Sequence, residues 1–141
     1  MKLQKEELNH ISASIRNAES HTSGEIRVCV ARQCKGDPLD AAWKKFKKLK
    51  MEETQRRNGV LIFVSPDDHK AAIVGDKGIH DAAQDNFWED ALAEMLSLFR
   101  KGLIAEGISK GVEKVGELIK TQFPTMENDV NELGDEVILE E

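Results

Sequence analysis

A chain of 141 residues is long enough to bury one substantial core and too short for two ordinary domains, so a single domain with tails is expected. Apolar residues at 40% and charged residues at 33% place it among soluble proteins, while 5% aromatics and no tyrosine argue against a stacking platform for single-stranded nucleic acid. The net charge of −6 belongs to the end of the chain: seven acidic residues (Glu127, Asp129, Glu132, Asp135, Glu136, Glu140, Glu141) and no basic one follow Pro124, which leaves residues 1–123 at +1.

Residues 3–20 space Leu3, Leu8, Ile11, Ile15 and Ala18 at helical intervals, predicting an amphipathic helix that stops at Thr22, Ser23 and Gly24. The N-terminal segment is charged throughout, with no apolar core of signal-peptide length, and nowhere do ~18 apolar residues run together, so a cytoplasmic protein without a membrane span is expected. In GEIRVCVAR, Ile26, Val28 and Val30 alternate with Glu25, Arg27 and Cys29 as in a strand with one strongly buried face. Cys29 and Cys34 have neither zinc-knuckle nor CxxC spacing and read as reduced, packed thiols.

Asp37 as cap, Pro38 at the first helical position and Asp40 in the first turn start a second helix. Its apolar stripe is read as Leu39, Trp43, Phe46 and Leu49, with Lys44, Lys45, Lys47, Lys48 and Lys50 on a solvated basic face. GVLIFVS is continuously apolar and predicts a central strand covered on both sides; a turn over residues 65–70 then returns KAAIVGD antiparallel. A right-handed crossover makes the first two strands parallel, so Glu25, Asn58, Gly59 and the Gly75–Gly78 loop share one end of the sheet, with Asp37 and SPDDH at the other.

Residues 81–101 predict a helix with Trp88, Leu92, Met95, Leu96 and Phe99 inward and Gly102 as its stop; another runs from Leu103 to Gln122. On that last helix Gly107 and Gly111 leave a strip where another backbone can approach. The domain is read as 1–123, with 124–141 as a flexible acidic tail. The order α-β-α-β-β-α-α predicts a three-layer α/β/α sandwich around a small mixed sheet.

Neither GxGxxG after a strand nor GxxxxGK[ST] occurs, Ser65 in VSPD is a turn residue rather than a nucleophile, and neither cysteine sits in a phosphatase loop. His10, His21, His69 and His80 have no paired ligand spacing. Carboxylates are the remaining chemistry. Asp76 between glycines, Asp81 and Asp85 converge with the amide of Asn58 at one sheet end, a hard-oxygen set suited to Ca²⁺ or Mg²⁺, with Mn²⁺ as a further candidate. The competing reading makes Asp76 a turn residue and Asp81 a helix cap. Asp37, Asp40 and Asp67 form the fallback cation site at the other end. In the tail, D-x-N-x-L-G from Asp129 echoes an EF-hand loop that Leu133 breaks at the fifth position.

The ordered segments SGEIRV, KGDPLDAA, RNGVLIFVSPDDHKAAIVGDKGI, LFRKGLIAEGISKGVEKVGELI and FP…NDVNEL resemble the TPM domain family, also called TPM phosphatase-like, over nearly the whole chain. The likeness is strongest to a short, stand-alone bacterial subgroup. It implies a Rossmann-like α/β/α sandwich without a dinucleotide site, an acid phosphatase activity proposed from plant thylakoid members, and divalent-cation binding in acidic loops. Asn58 and Gly59 match the family's strand-opening pair, Gly75 and Gly78 its glycine loop, and Asp81 and Asp85 fall where the family often has an acid. The leading expectation is therefore a cation-binding, at most weakly hydrolytic, monomeric domain. The alternative is a protein-interaction module that recruits a partner through the basic helix 43–50 or the acidic tail.

Overall fold

The computed structural model describes residues 3–54, 56–80, 88–121, 123–124, 134 and 137–140. Asp81, Asp85 and most of the 124–141 segment, including all but Gly134 of the EF-hand echo, lie outside the described residues.

The elements follow the predicted order with two additions, a short α3 in place of a loop and a final β4: α1 (Lys5–Glu19), β1 (Glu25–Ala31), α2 (Pro38–Lys48), β2 (Gly59–Ser65), β3 (Lys70–Gly75), α3 (Lys77–His80), α4 (Glu89–Arg100), α5 (Ile104–Ile119) and β4 (Ile138–Glu140). The sheet runs β3-β2-β1-β4, with β2 parallel to β1 and antiparallel to β3. Side chains alternate across it, as the two-residue period of a strand requires. Val60, Ile62 and Val64 join Ile26, Val28 and Ile73 beneath α1, α4 and α5, whereas Leu61 and Phe63 join Cys29, Ala72 and Val74 beneath Ala42 and Phe46 of α2. Two apolar layers on opposite faces of one mixed sheet make the expected three-layer α/β/α sandwich. Among the described residues no helix is long and apolar enough to cross a membrane.

The start of α2 is as read: Asp37 accepts from the Leu39 N–H at 2.9 Å, and Pro38 occupies the first turn. Its buried face is not. Ala42, Lys45 and Phe46 point inward, while Leu39 and Trp43 are exposed. The small Ala42 lets the helix settle against the sheet, which centres the contact there and leaves Trp43 edge-to-face on Phe46 at 5.3 Å. Lys45, read as part of a solvated face, is consequently 9% exposed.

Three further readings need correction. β1 is an inner strand, so Glu25, Cys29 and Ala31 are buried as well as Ile26 and Val28. The Gly107 and Gly111 strip admits the side chains of Phe99 and Met95 from α4, rather than a backbone. Finally, Ile138–Glu140, assigned from sequence to a flexible tail outside the fold, pairs in parallel with Cys29, Val30 and Ala31 of β1. A strand signal three residues long is too brief to stand out in an acidic run, and it becomes a strand through the edge it meets.

Gly78 marks where α3 lies on the backbone before β2. A Cβ there would sit 2.6 Å from the Arg57 carbonyl oxygen, whereas one on Gly36 would meet nothing within 4 Å. Gly78→Ala is expected to lose about 1–3 kcal/mol of unfolding free energy. Gly36→Ala should stay near the parent, and urea unfolding of both variants checks the contrast.

Candidate functional site

The amino end of the parallel strands assembles as the sequence arithmetic required. Glu25 pairs with Gly59, Val60 pairs with Gly75, and the Asp76 N–H donates to the Gly59 carbonyl at 2.9 Å. Gly75 and Gly78 flank Asp76 for space, not for loop flexibility. Neither has a positive φ; a Cβ on Gly75 would strike Ile79 at 2.8 Å, and one on Gly78 would strike the Arg57 carbonyl. The chain turns directly from β3 into α3 over a surface too close for side chains.

That close seating puts the Asp76 carboxylate, 3% exposed, against Arg57. Arg57 Nε donates to Oδ2 at 2.7 Å, Nη2 to Oδ1 at 2.8 Å, and the Lys77 N–H to Oδ1 at 2.7 Å. This is a two-pronged guanidinium–carboxylate pair, the geometry that makes arginine a specific carboxylate partner. Hydrogen bonding to Asp76 raises the Arg57 guanidinium above its ordinary value. Arg57 holds a left-handed φ of 52°, unusual for a residue with a side chain, and its carbonyl accepts from the Gly78 N–H at 2.8 Å.

Asn58 is buried, its Nδ2 donating to the Ser23 carbonyl at 3.0 Å and its own carbonyl accepting from the Glu25 N–H at 3.2 Å. Ser23 in turn donates its N–H to the Phe123 carbonyl at 2.8 Å. Asn58 thus ties the start of β2 to the approach to β1 and, through Ser23, to Phe123 in the segment after α5. Of the predicted set, Asn58 and Asp76 meet at one sheet end with their polar groups engaged, and Asp81 and Asp85 lie outside the described residues.

At the carboxyl end the fallback trio separates. Asp37 caps α2, Asp40 sits exposed in the same first turn, and Asp67 lies in the exposed β2–β3 turn. Asp68, which the sequence reading passed over, accepts from the Cys34 N–H at 2.6 Å, while Lys70 Nζ donates to the Cys34 and Gly36 carbonyls at 2.8 and 2.9 Å. The turn of this hairpin and the first residue of β3 therefore clamp the loop that leads into α2. Among the described residues no three His, Cys, Asp or Glu side chains gather into a metal-holding group.

A cavity of about 580 Å³ opens at the same end, lined by Leu3, Leu8, Ile104 and Leu139 with Arg32 and Asp67 among its polar residues. Open α/β sheets characteristically receive ligands at the carboxyl ends of their strands. Beside it, Lys45 Nζ lies 2.7 Å from Glu140 Oε2, which ties β4 to the lysine-rich helix α2. Cys29 is wholly buried, with its Sγ 4.0 Å from Glu140 Oε2; both cysteines are unbridged.

A family model described as the TPM domain matches residues 2–118. No curated protein matches the chain. Among solved structures, the NMR structure of the BA42 protein from the psychrophilic bacterium Bizionia argentinensis is 37% identical, with a TM-score of 0.90 over 99% of this chain and 96% of that one. Two N-terminal domains share the fold alone. The cg2496 protein of Corynebacterium glutamicum is 14% identical, with a TM-score of 0.66 over 97% of this chain and 80% of that one. A P. gingivalis protein is 18% identical, with a TM-score of 0.70 over 89% and 83%.

Burial raises the Cys29 thiol from 9.0 to about 11, with Glu140 adding to the rise and Lys45 and Arg27 opposing it. Below pH 9.0 the thiol is protonated folded or unfolded, and its contribution is complete. Between 9.0 and about 11 the unfolded chain releases this proton and the folded one keeps it, so stability falls as pH rises, by a total on the order of 3 kcal/mol. Urea unfolding at pH values bracketing this window should show that slope in the parent and a shallower one in Cys29→Ala.

Proposed function

The chain belongs to the TPM domain family, and we propose that it acts as a divalent-cation-binding domain whose ion enters at Asp76 by exchange with Arg57. The supporting observation is that a buried carboxylate turns both oxygens onto the cationic head of an exposed residue. Arg57 is thereby a built-in counter-ion. The site presents hard oxygen, the donor that Ca²⁺, Mg²⁺ and Mn²⁺ prefer.

Among the described residues one carboxylate has the donor chemistry for such an ion, and no cluster of three ligands forms around it. Asp76 would be that ligand, and Asp81, Asp85 and water would supply the remaining positions. When bound, a divalent ion supplies neutralisation of charge on a phosphate oxygen, which is what a metal-dependent phosphatase activity needs. This chain's own contribution is to hold the Asp76 carboxylate rigid through the Lys77 N–H and the close seating of α3, and to keep its charge balanced by Arg57 while the ion is away. Asn58, the other described member of the expected ligand set, has its Nδ2 committed to the Ser23 carbonyl and its side-chain oxygen as the ligand atom it would offer.

Exchange predicts opposite responses from the two partners. In backbone amide titrations with Ca²⁺, Mg²⁺ and Mn²⁺, the parent should show saturable changes at Asp76 and Lys77 together with release of the Arg57 Nε–H signal. Arg57→Gln should bind the ion severalfold more tightly because the internal competitor is gone. Asp76→Asn should abolish binding. An unchanged response in both variants, or shifts centred on Asp37, Asp40 and Asp67, would remove the ion from Asp76.

A further inference from the structure

The edge of β1 facing away from β2 carries backbone donors and acceptors that any extended segment can pair with. In this chain Ile138–Glu140 takes that edge with Cys29 opposite Ile138, Val30 opposite Leu139 and Ala31 opposite Glu140. The Arg32 N–H completes the ladder by donating to the Glu140 carbonyl at 2.8 Å. Beside this edge, Lys45 is 9% exposed and its ammonium sits 2.7 Å from the Glu140 carboxylate. A buried ammonium is costly without a counter-charge, so this edge discriminates in favour of strands that bring a carboxylate to that place.

We propose that the β1 edge with Lys45 is an acceptor site for an acidic, extended peptide segment of a partner protein, and that Ile138–Glu140 is the resident strand such a peptide displaces. The resident is three residues long, and Leu139 and the Glu140 side chain remain 53% and 45% exposed. Short, exposed edge pairings of this kind are the first to open. The site also offers more than the resident uses. Leu139 forms part of the wall of the 580 Å³ cavity, alongside Leu3, Leu8 and Ile104. A strand with a larger apolar side chain at that place buries more surface and competes better. The favoured partner segment is therefore parallel to β1, with an aromatic or large aliphatic residue followed directly by glutamate.

Three labelled heptapeptides test this on the full chain by fluorescence polarisation. The first copies residues 135–141, the second replaces the residue matching Leu139 with phenylalanine, and the third replaces the residue matching Glu140 with lysine. The phenylalanine peptide should bind most tightly and the lysine peptide least. Ile138→Pro, which deletes a ladder donor from the resident, should tighten binding of the first two by about 10-fold through loss of the internal competitor. Leu139→Ser, at an exposed position, gives the same comparison without a backbone change. Lys45→Met should erase the preference for glutamate over lysine, and the amides of Cys29 to Arg32 should shift on binding in the parent. Equal binding of all three peptides, no gain in either resident-weakened variant, or unmoved β1 amides would overturn the proposal.

Discussion

Complete burial of β2 is the constraint from which the rest of the architecture follows. Every residue from Gly59 to Ser65 is buried, so helices must cover both faces of the sheet and the neighbouring strands must close both edges of that strand. A strand with no exposed face has nowhere along its length to carry chemistry. Polar function is consequently displaced to the two ends, beyond the buried Asn58 and Ser65 that bound β2. This is the general logic of open α/β sheets, in which the layers supply rigidity and the loop ends supply sites.

The two ends solve the polar problem differently. At the amino end, backbone and side chains are matched inward: Asp76 with Arg57 and Lys77, and Asn58 with Ser23. The left-handed Arg57 and the crowding at Gly78 are the conformational cost of that matching, and they fix the carboxylate in one orientation. At the carboxyl end the groups that are clamped, Asp68 and Lys70, hold a loop, while a cavity of mixed apolar and charged lining stays open beside the edge strand. One end is a preorganised charge pair and the other is a shaped surface.

The parts legible in sequence were those written locally. The Asp37-Pro38 start of α2, the uninterrupted apolar run of β2 and the short turn into β3 each carry their own signal, and the parallel crossover followed from handedness. From these came the shared end of Glu25, Asn58, Gly59 and Asp76. The Arg57–Asp76 pair was one step further: once Asp76 was placed beside Asn58 and Gly59, the arginine directly before Asn58 was the nearest cation in register. The glycines misled because spacing alone cannot separate a flexible loop from a close approach; that difference lies in what would meet a Cβ. The rotation of α2 and the burial of Lys45 were unreadable for a different reason. A lysine on a helix reads as solvated unless its counter-charge is known, and that charge arrives from Glu140 at the far end of the chain.

Docking of that distant acid also sets the chemistry of the thiol beneath it. Cys29 lies opposite Ile138 in the ladder, and its Sγ is 4.0 Å from Glu140 Oε2. Lys45 favours the thiolate and Glu140 opposes it, so the docked pair brings opposing influences to the thiol and leaves burial to dominate. Remove the strand and both the cover and the opposing carboxylate go, while the lysine stays. Each change lowers the thiol's resistance to ionisation. The strand at the sheet edge therefore adds a carboxylate that opposes ionisation of Cys29, on top of the larger effect of burial against Ala42, Phe46 and the neighbouring strands.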